Sequence, residues 1–241
     1  MFKINFLLKV YQYLNTYINY LFANQVSEVN LFKNFRGNKI IFFDVGSNIG
    51  SNIDIILRTS FKKKEIHAFE PHEDNFNFLK RKYSSPRVFI NNTFLDKTKT
   101  TVKFYERKFS SLSSAIKNND KYLKKRLIKT DTIDNYCKNK KIDKIHFLKI
   151  DTEGYDLNVL KSAKKKLKMK KIDLIKIEII FSDDNKNLSF HKKIIFDDKT
   201  FKNIYNFLSK YEYKFCGFCN QKFKNNKLFL MDAFFISKNF N

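Results

Sequence analysis

The order of apolar and polar runs predicts an α/β chain built on a mainly parallel sheet. Near-continuous apolar runs alternate with helix-like polar stretches, as βαβ crossovers require. The runs lack strict apolar–polar alternation, so both faces of each strand are expected to be covered. Three of the runs end in acids, at the strand ends where open α/β sheets bind ligands.

Strands are expected at KIIFFDV (39–45), EIHAFE (65–70), RVFIN (87–91), KIHFLKID (144–151) and KIDLIKIEIIF (171–181). Between the first two lies SNIDIILRTSFKK, in which Ile53, Ile56 and Leu57 recur at helical spacing. DNFNFLKRKYSS (74–85) reads as the helix after the second strand, with Pro86 beyond its end. Residues 93–130, holding a short strand, TTVKFYE, and a polar loop, are expected to form an insertion or an edge hairpin ahead of the fourth strand. YDLNVLKSAKKKLKMK, with Leu157, Leu160 and Ala163 three apart, predicts one further helix. A last helix is expected near 199–210, followed by two strands, YEYKFCGF and KLFLMDAFFIS, pairing antiparallel at the sheet edge.

At 241 residues, 43% hydrophobic, the chain is long enough for one large core. The expected division is an N-terminal helical extension (1–35) and a single domain (36–241). The net charge of +24 comes from 42 Lys and only 6 Arg. Phosphate and base recognition favours the bidentate fork of Arg, so the charge reads as a solvated lysine coat with no specific nucleic-acid partner. The alternative, a non-enzymatic binder of nucleic acid or anionic membrane, leaves the acids at the strand ends unexplained.

Cys137, Cys216 and Cys219 are too few and odd in number for a disulfide framework, which fits a reducing, cytoplasmic setting; the Cys216–Cys219 pair reads as incidental. In MFKINFLLKVYQYLNTYINYLF, Lys9, Gln12 and Asn15 interrupt the apolar run before a span of about 18 residues accumulates. An amphipathic helix over the domain's own core, or one touching a membrane, fits that composition better.

The chemistry concentrates at three strand ends. In Asp44-Val45-Gly46-Ser47-Asn48-Ile49-Gly50, Gly46 is expected to let backbone approach a ligand, and Gly50 to relieve packing where a helix starts. Free N–H groups there favour an anion, while Asp44 favours a cation. A ligand carrying both ammonium and carboxylate, such as the methionine end of S-adenosylmethionine, satisfies both. The glycine spacing also disfavours a dinucleotide. Glu70, 26 residues on, ends the second strand where an acid can accept from both ribose hydroxyls. Asp151, in F-L-K-I-D-T-E-G, is expected to face the same cleft as Asp44. Glu178 interrupts the apolar run I-K-I-E-I-I, where a charge is rarely placed for stability. His67 and His146 read as core residues; His72 could touch adenine, and His191 lies in a segment without a pattern.

D-V-G-S-N-I-G, A-F-E-P-H-E-D-N-F-N-F-L, F-L-K-I-D-T-E-G-Y-D-L-N-V-L and the later I-K-I-E together resemble the FkbM family of S-adenosylmethionine-dependent methyltransferases, over about residues 40–180. The resemblance implies a Rossmann-like class I methyltransferase fold: a mainly parallel seven-stranded sheet with helices on both faces and an antiparallel C-terminal edge strand. It also implies methylation of hydroxyls on sugars, glycans or related small molecules. By position, Asp44, Gly46, Ser47, Asn48 and Gly50 would hold the methionine part and Glu70 the ribose, with Asp96 near the adenine. Ser47 stands where the family commonly has Ala. The loop Ser110-Ser111-Leu112-Ser113-Ser114 would border cofactor or substrate.

A sugar hydroxyl is a very weak acid, so methyl transfer to it needs a base or a metal ion. Asp151 and Glu178 are the candidate catalytic pair, through Asp151 as base or by sharing Mg²⁺; alternatively Asp151 belongs to the cofactor-binding set and orients the cofactor. No N-P-P-Y or D-P-P-Y stretch for a flipped base is present. The methyl acceptor itself is not encoded in any pattern.

Overall fold

Seven strands pair into one sheet in the order β3-β2-β1-β7-β8-β10-β9. The computed structural model describes residues 28–106, 113, 115, 124–180, 199–224 and 226–240. Its strands are β1 (Ile40–Val45), β2 (Lys64–Phe69), β3 (Val88–Asn91), β4 (Phe94–Leu95), β5 (Thr101–Glu106), β6 (Lys124–Asp131), β7 (Ile145–Ile150), β8 (Ile172–Ile180), β9 (Tyr213–Lys224) and β10 (Lys227–Ser237). Its helices are α1 (Glu28–Phe32), α2 (Ser51–Leu57), α3 (Glu73–Lys82), α4 (Ile133–Asn139), α5 (Asp156–Lys161), α6 (Lys164–Lys168) and α7 (Lys199–Ser209). The expected N-terminal helix over residues 1–27, most of the serine loop, and His191 lie outside the described residues.

The parallel strands β1, β2, β3, β7 and β8 agree with the sequence expectation to within a residue or two at each described end. Every residue of β1 and β7 is buried, because helices cover both faces. Ile41, Phe43 and Leu148 face α4 to α7, where Ile133, Val159 and Leu208 pack. Phe42 and Phe147 face the other way, against Phe32 and Phe35 from the α1 region, Ile53 and Ile56 of α2, and Leu79 of α3. Residues 28–35 of the expected extension thus pack into this second core. β9 takes the sheet edge and pairs antiparallel with β10, which pairs antiparallel with β8.

The structure divides one expected helix and adds one that was not expected. The helix read as one unit after Gly154 is two, because another element interrupts it. Asp134 of α4 accepts from Lys165 N (2.8 Å) and Lys166 N (3.0 Å), capping α6 from outside. Ser162, between the helices, accepts from Ile133 N at 3.2 Å. The apolar periodicity that ends at Leu57 marks the end of α2 as well: Lys64 Nζ donates to Ile56 O and Leu57 O (3.2 and 2.7 Å), taking the last helical carbonyls. The insertion does hold an antiparallel pair, β5 with β6, but in a separate three-stranded sheet where β4 pairs parallel with β6, instead of at the edge of the main sheet. α4 was not expected; Thr132, whose Oγ1 accepts from Asn135 N at 3.0 Å, is the capping signal that marks it.

Candidate active site at the carboxyl edge of the sheet

β1 sits between β2 and β7, so the turns after Val45, Phe69 and Ile150 open at one edge. One cleft there is lined by Val45, Gly46, Asn48, Glu70, Asp151 and Thr152, with Phe94, Leu95 and Phe104 of the insertion as its apolar wall. Ser113, from the serine loop, also lines it. Asp96 ends β4 but is not among the described lining residues; it is buried, with Oδ1 accepting from Lys97 N.

Gly46 has φ +76°, and a Cβ added there would stand 1.8 Å from the carbonyl oxygen of Asp151. The expectation that Gly46 lets a ligand approach is therefore corrected: the bare position admits the backbone of the neighbouring strand end. Gly50 (φ +87°) does relieve packing, since a Cβ would meet Tyr83 Oη at 2.5 Å. Ser47 is buried and donates its hydroxyl to Asp44 O at 2.7 Å.

Asp44 is 0% exposed, and Lys149 Nζ lies 3.3 Å from its Oδ1. The same ammonium lies 3.3 Å from Asp151 Oδ2 and donates to Gly46 O at 2.9 Å. Lys149 therefore staples β1, its glycine turn and the end of β7 together. Burial alone would lower its pKa, but Asp151 and Asp44 outweigh that and the net shift is upward. Burial pushes Asp44 up, against the opposing pull of Lys149. Sequence reasoning missed this residue; the signal was a lysine inside the buried run F-L-K-I-D.

Glu70 is 5% exposed and lines the cleft. Its Oε2 accepts from Asn48 N (2.7 Å) and its Oε1 from His72 N (2.8 Å), so it ties the β1 and β2 turns together. Each carboxylate oxygen keeps a second lone pair for a ligand hydroxyl. Burial raises its pKa to about 7, against the two backbone hydrogen bonds. His72, next to Glu70, is itself buried. His67 and His146 are core residues as expected: the first contacts Tyr136 Oη at 2.9 Å, and the second accepts from Ile41 N at 3.0 Å.

The D-T-E-G turn is held by a second residue that sequence reasoning missed. Asp156 accepts from Thr152 N (3.0 Å), Thr152 Oγ1 (3.1 Å) and Gly154 N (3.1 Å), which lets Glu153 adopt φ 52°. Carboxylate oxygens of Asp151, Glu153 and Glu178 lie within 4.8 Å of one another. Glu178 has no hydrogen-bond partner among the described residues. Burial, then Asp151, Glu153, Asp156 and Asp232, raise its pKa well above the ordinary range.

The Methyltransferase FkbM domain profile matches residues 44–215. The chain belongs to the FkbM methyltransferase family. It therefore carries an S-adenosylmethionine-dependent methyltransferase domain. An FkbM methyltransferase from Methylobacillus flagellatus KT has a similar fold, at 16% identity and TM-score 0.55 over 83% of this chain. This FkbM chain spans only 44% of that protein. A SAM-dependent methyltransferase from Aquifex aeolicus aligns over 86% of this chain and 87% of its own, at 10% identity and TM-score 0.46. M. capricolum TrmK, solved with S-adenosylhomocysteine, aligns over 90% of this chain and 71% of its own, at 12% identity and TM-score 0.45. No curated protein matches the chain. Cys137, Cys216 and Cys219 are free, and among the described residues no helix is long and apolar enough to cross a membrane.

Proposed function

We propose that the protein methylates a hydroxyl of a sugar, glycan or related small molecule, with S-adenosylmethionine as donor. The observation that carries the reading is the convergence of Glu70, Asp151 and Glu178 at one sheet edge, acidic within a chain of net charge +24. A cationic sulfonium nucleoside suits that edge electrostatically. Glu70 accepts the ribose hydroxyls, the Gly46–Gly50 turn holds the methionine end, and Phe94 and Leu95 flank the base. Asp44 acts from beneath the turn, through Lys149, instead of meeting the ligand's ammonium directly.

In-line displacement at the methyl carbon, with the sulfonium sulfur leaving as a neutral thioether, leaves two tasks to the protein: aligning the acceptor oxygen and removing its proton. Asp151 is the base. The oxygen-only set of Asp151, Glu153 and Glu178 also fits a hard divalent cation such as Mg²⁺, which would offset the mutual repulsion of those acids. Such an ion supplies positive charge that lowers the hydroxyl's pKa.

Calorimetry with S-adenosylhomocysteine and labelled-methyl transfer to nucleotide-sugars, lipid-linked glycans and free saccharides test this. Stoichiometric binding and transfer to at least one carbohydrate are expected, with Asp151→Asn lowering the rate on the order of 100-fold or more. A wild-type protein that ignores S-adenosylhomocysteine sinks the reading, and labelling of RNA alone rejects the acceptor class. Full activity in chelator removes the cation.

A further inference from the structure

A second recess, of about 330 Å³, adjoins the proposed cofactor cleft, and Asp151 lines both. The ends of β7 and β8 and the β9–β10 hairpin wall it. Its size lies within the ~300–1,000 Å³ range of ligand pockets. We propose that this recess is the acceptor site and takes an uncharged, hydroxyl-rich ring, read by Asn220 and Gln221 of β9. The proposal rests on the methyl-transfer reading above and supplies what that reading lacks: where the acceptor sits and which side chains select it.

Position is the first argument. Asp151 lines both recesses, so an acceptor here stands beside the proposed base and next to the cofactor cleft. Charge is the second. The two buried cations of the recess are already compensated: Lys149 by Asp44 and Asp151, and Lys176 by Asp232 at 3.1 Å and by Glu28. Lys222 is exposed and adds a cation, but Glu178 lines the same recess as an acid without a hydrogen-bond partner among the described residues. A phosphate-rich acceptor gains little in such surroundings. Side-chain amides and carboxylates beside Ile150 and Leu230 match hydroxyl groups, which both donate and accept.

The third argument is backbone geometry. Leu230 pairs with Lys222 and Asp232 with Cys219, so Asn220 and Gln221 together oppose Met231. This is a β-bulge, with Asn220 at φ 53°. Regular pleating would send consecutive side chains to opposite faces. The bulge instead puts Asn220, Gln221 and Lys222 all on the recess wall. Asn220 Nδ2 donates to Asp232 Oδ2 at 2.7 Å, which fixes its direction.

The test compares wild type with the double variant Asn220→Ala/Gln221→Ala, both side chains being exposed. Both proteins are saturated with S-adenosylhomocysteine and titrated with methyl glycosides of glucose, galactose, mannose and rhamnose, followed by saturation-transfer NMR. At least one glycoside should bind wild type, and the double variant should weaken it roughly tenfold. Circular dichroism and S-adenosylhomocysteine affinity should be unchanged. Equal glycoside binding by the variant overturns the assignment, as does the absence of any glycoside signal with the loaded wild type. Displacement of the glycoside by poly(U) overturns the uncharged-acceptor inference. If S-adenosylhomocysteine fails to bind wild type, the methyl-transfer reading falls first and takes this one with it.

Discussion

The two flanks of Asp151 are built by different means. On the β1–β2 side, backbone groups do most of the work: a glycine turn meets the Asp151 carbonyl, and Glu70 gathers N–H groups from two loops. On the β8–β10 side, side chains dominate: Lys176 pairs with Asp232 and Glu28, and Glu178 faces Asp151 and Asp232. Backbone cradles suit a constant ligand, whereas side-chain walls can be exchanged without rebuilding the strands. On the proposed reading the first flank holds the donor and the second the acceptor, with Lys149 and Asp151 as the seam.

The largest expected effect breaks the backbone side. Gly46→Ala must move the β1 turn or the end of β7, and should abolish S-adenosylhomocysteine binding in calorimetry or leave the protein unfolded by circular dichroism. A variant that binds normally would show that the close approach to Asp151 is dispensable. Next comes the seam. Lys149→Met leaves Asp44 buried without its counter-charge and should cost about 3–5 kcal/mol, roughly 10 °C in Tm. The variant's Asp44 should titrate higher still, so the deficit should shrink as pH falls and that acid becomes neutral. A deficit equal at pH 5 and pH 8 argues against the staple.

The smallest effect sharpens the donor side. Burial holds Glu70 near a pKa of about 7, and its ionised form is the better acceptor for ribose hydroxyls. Affinity for S-adenosylhomocysteine should therefore rise between pH 6 and 8, with the dependence lost in Glu70→Gln. The sign for ligand-free stability is opposite. A carboxyl raised from 4.5 to about 7 keeps its proton in the fold, so its contribution to stability falls as pH rises through that window. Flat affinity across the range would place the ribose elsewhere.

Much of the donor side was legible because its causes are local. Asp44, Glu70 and Asp151 each end an apolar strand, and parallel pairing brings such ends to one edge. Glu178 was legible as a charge inside a buried run. Lys149 and Asp156 were not singled out, since each acts through partners distant in sequence or through a turn that exists only when folded. The role of Gly46 was misread for the same reason: its crowding neighbour is 105 residues away, at Asp151.

By itself the sequence determined the strands of the parallel half, the acids at their carboxyl ends and the family resemblance, because apolar periodicity and strand-end residues are properties of contiguous chain. Tertiary structure alone decided how Lys149 distributes its charge, why one expected helix became α5 and α6, and how a bulge in β9 puts Asn220 and Gln221 on the wall of one recess. Those features depend on burial and on register between distant segments, and neither quantity exists until the sheet has closed against its helices.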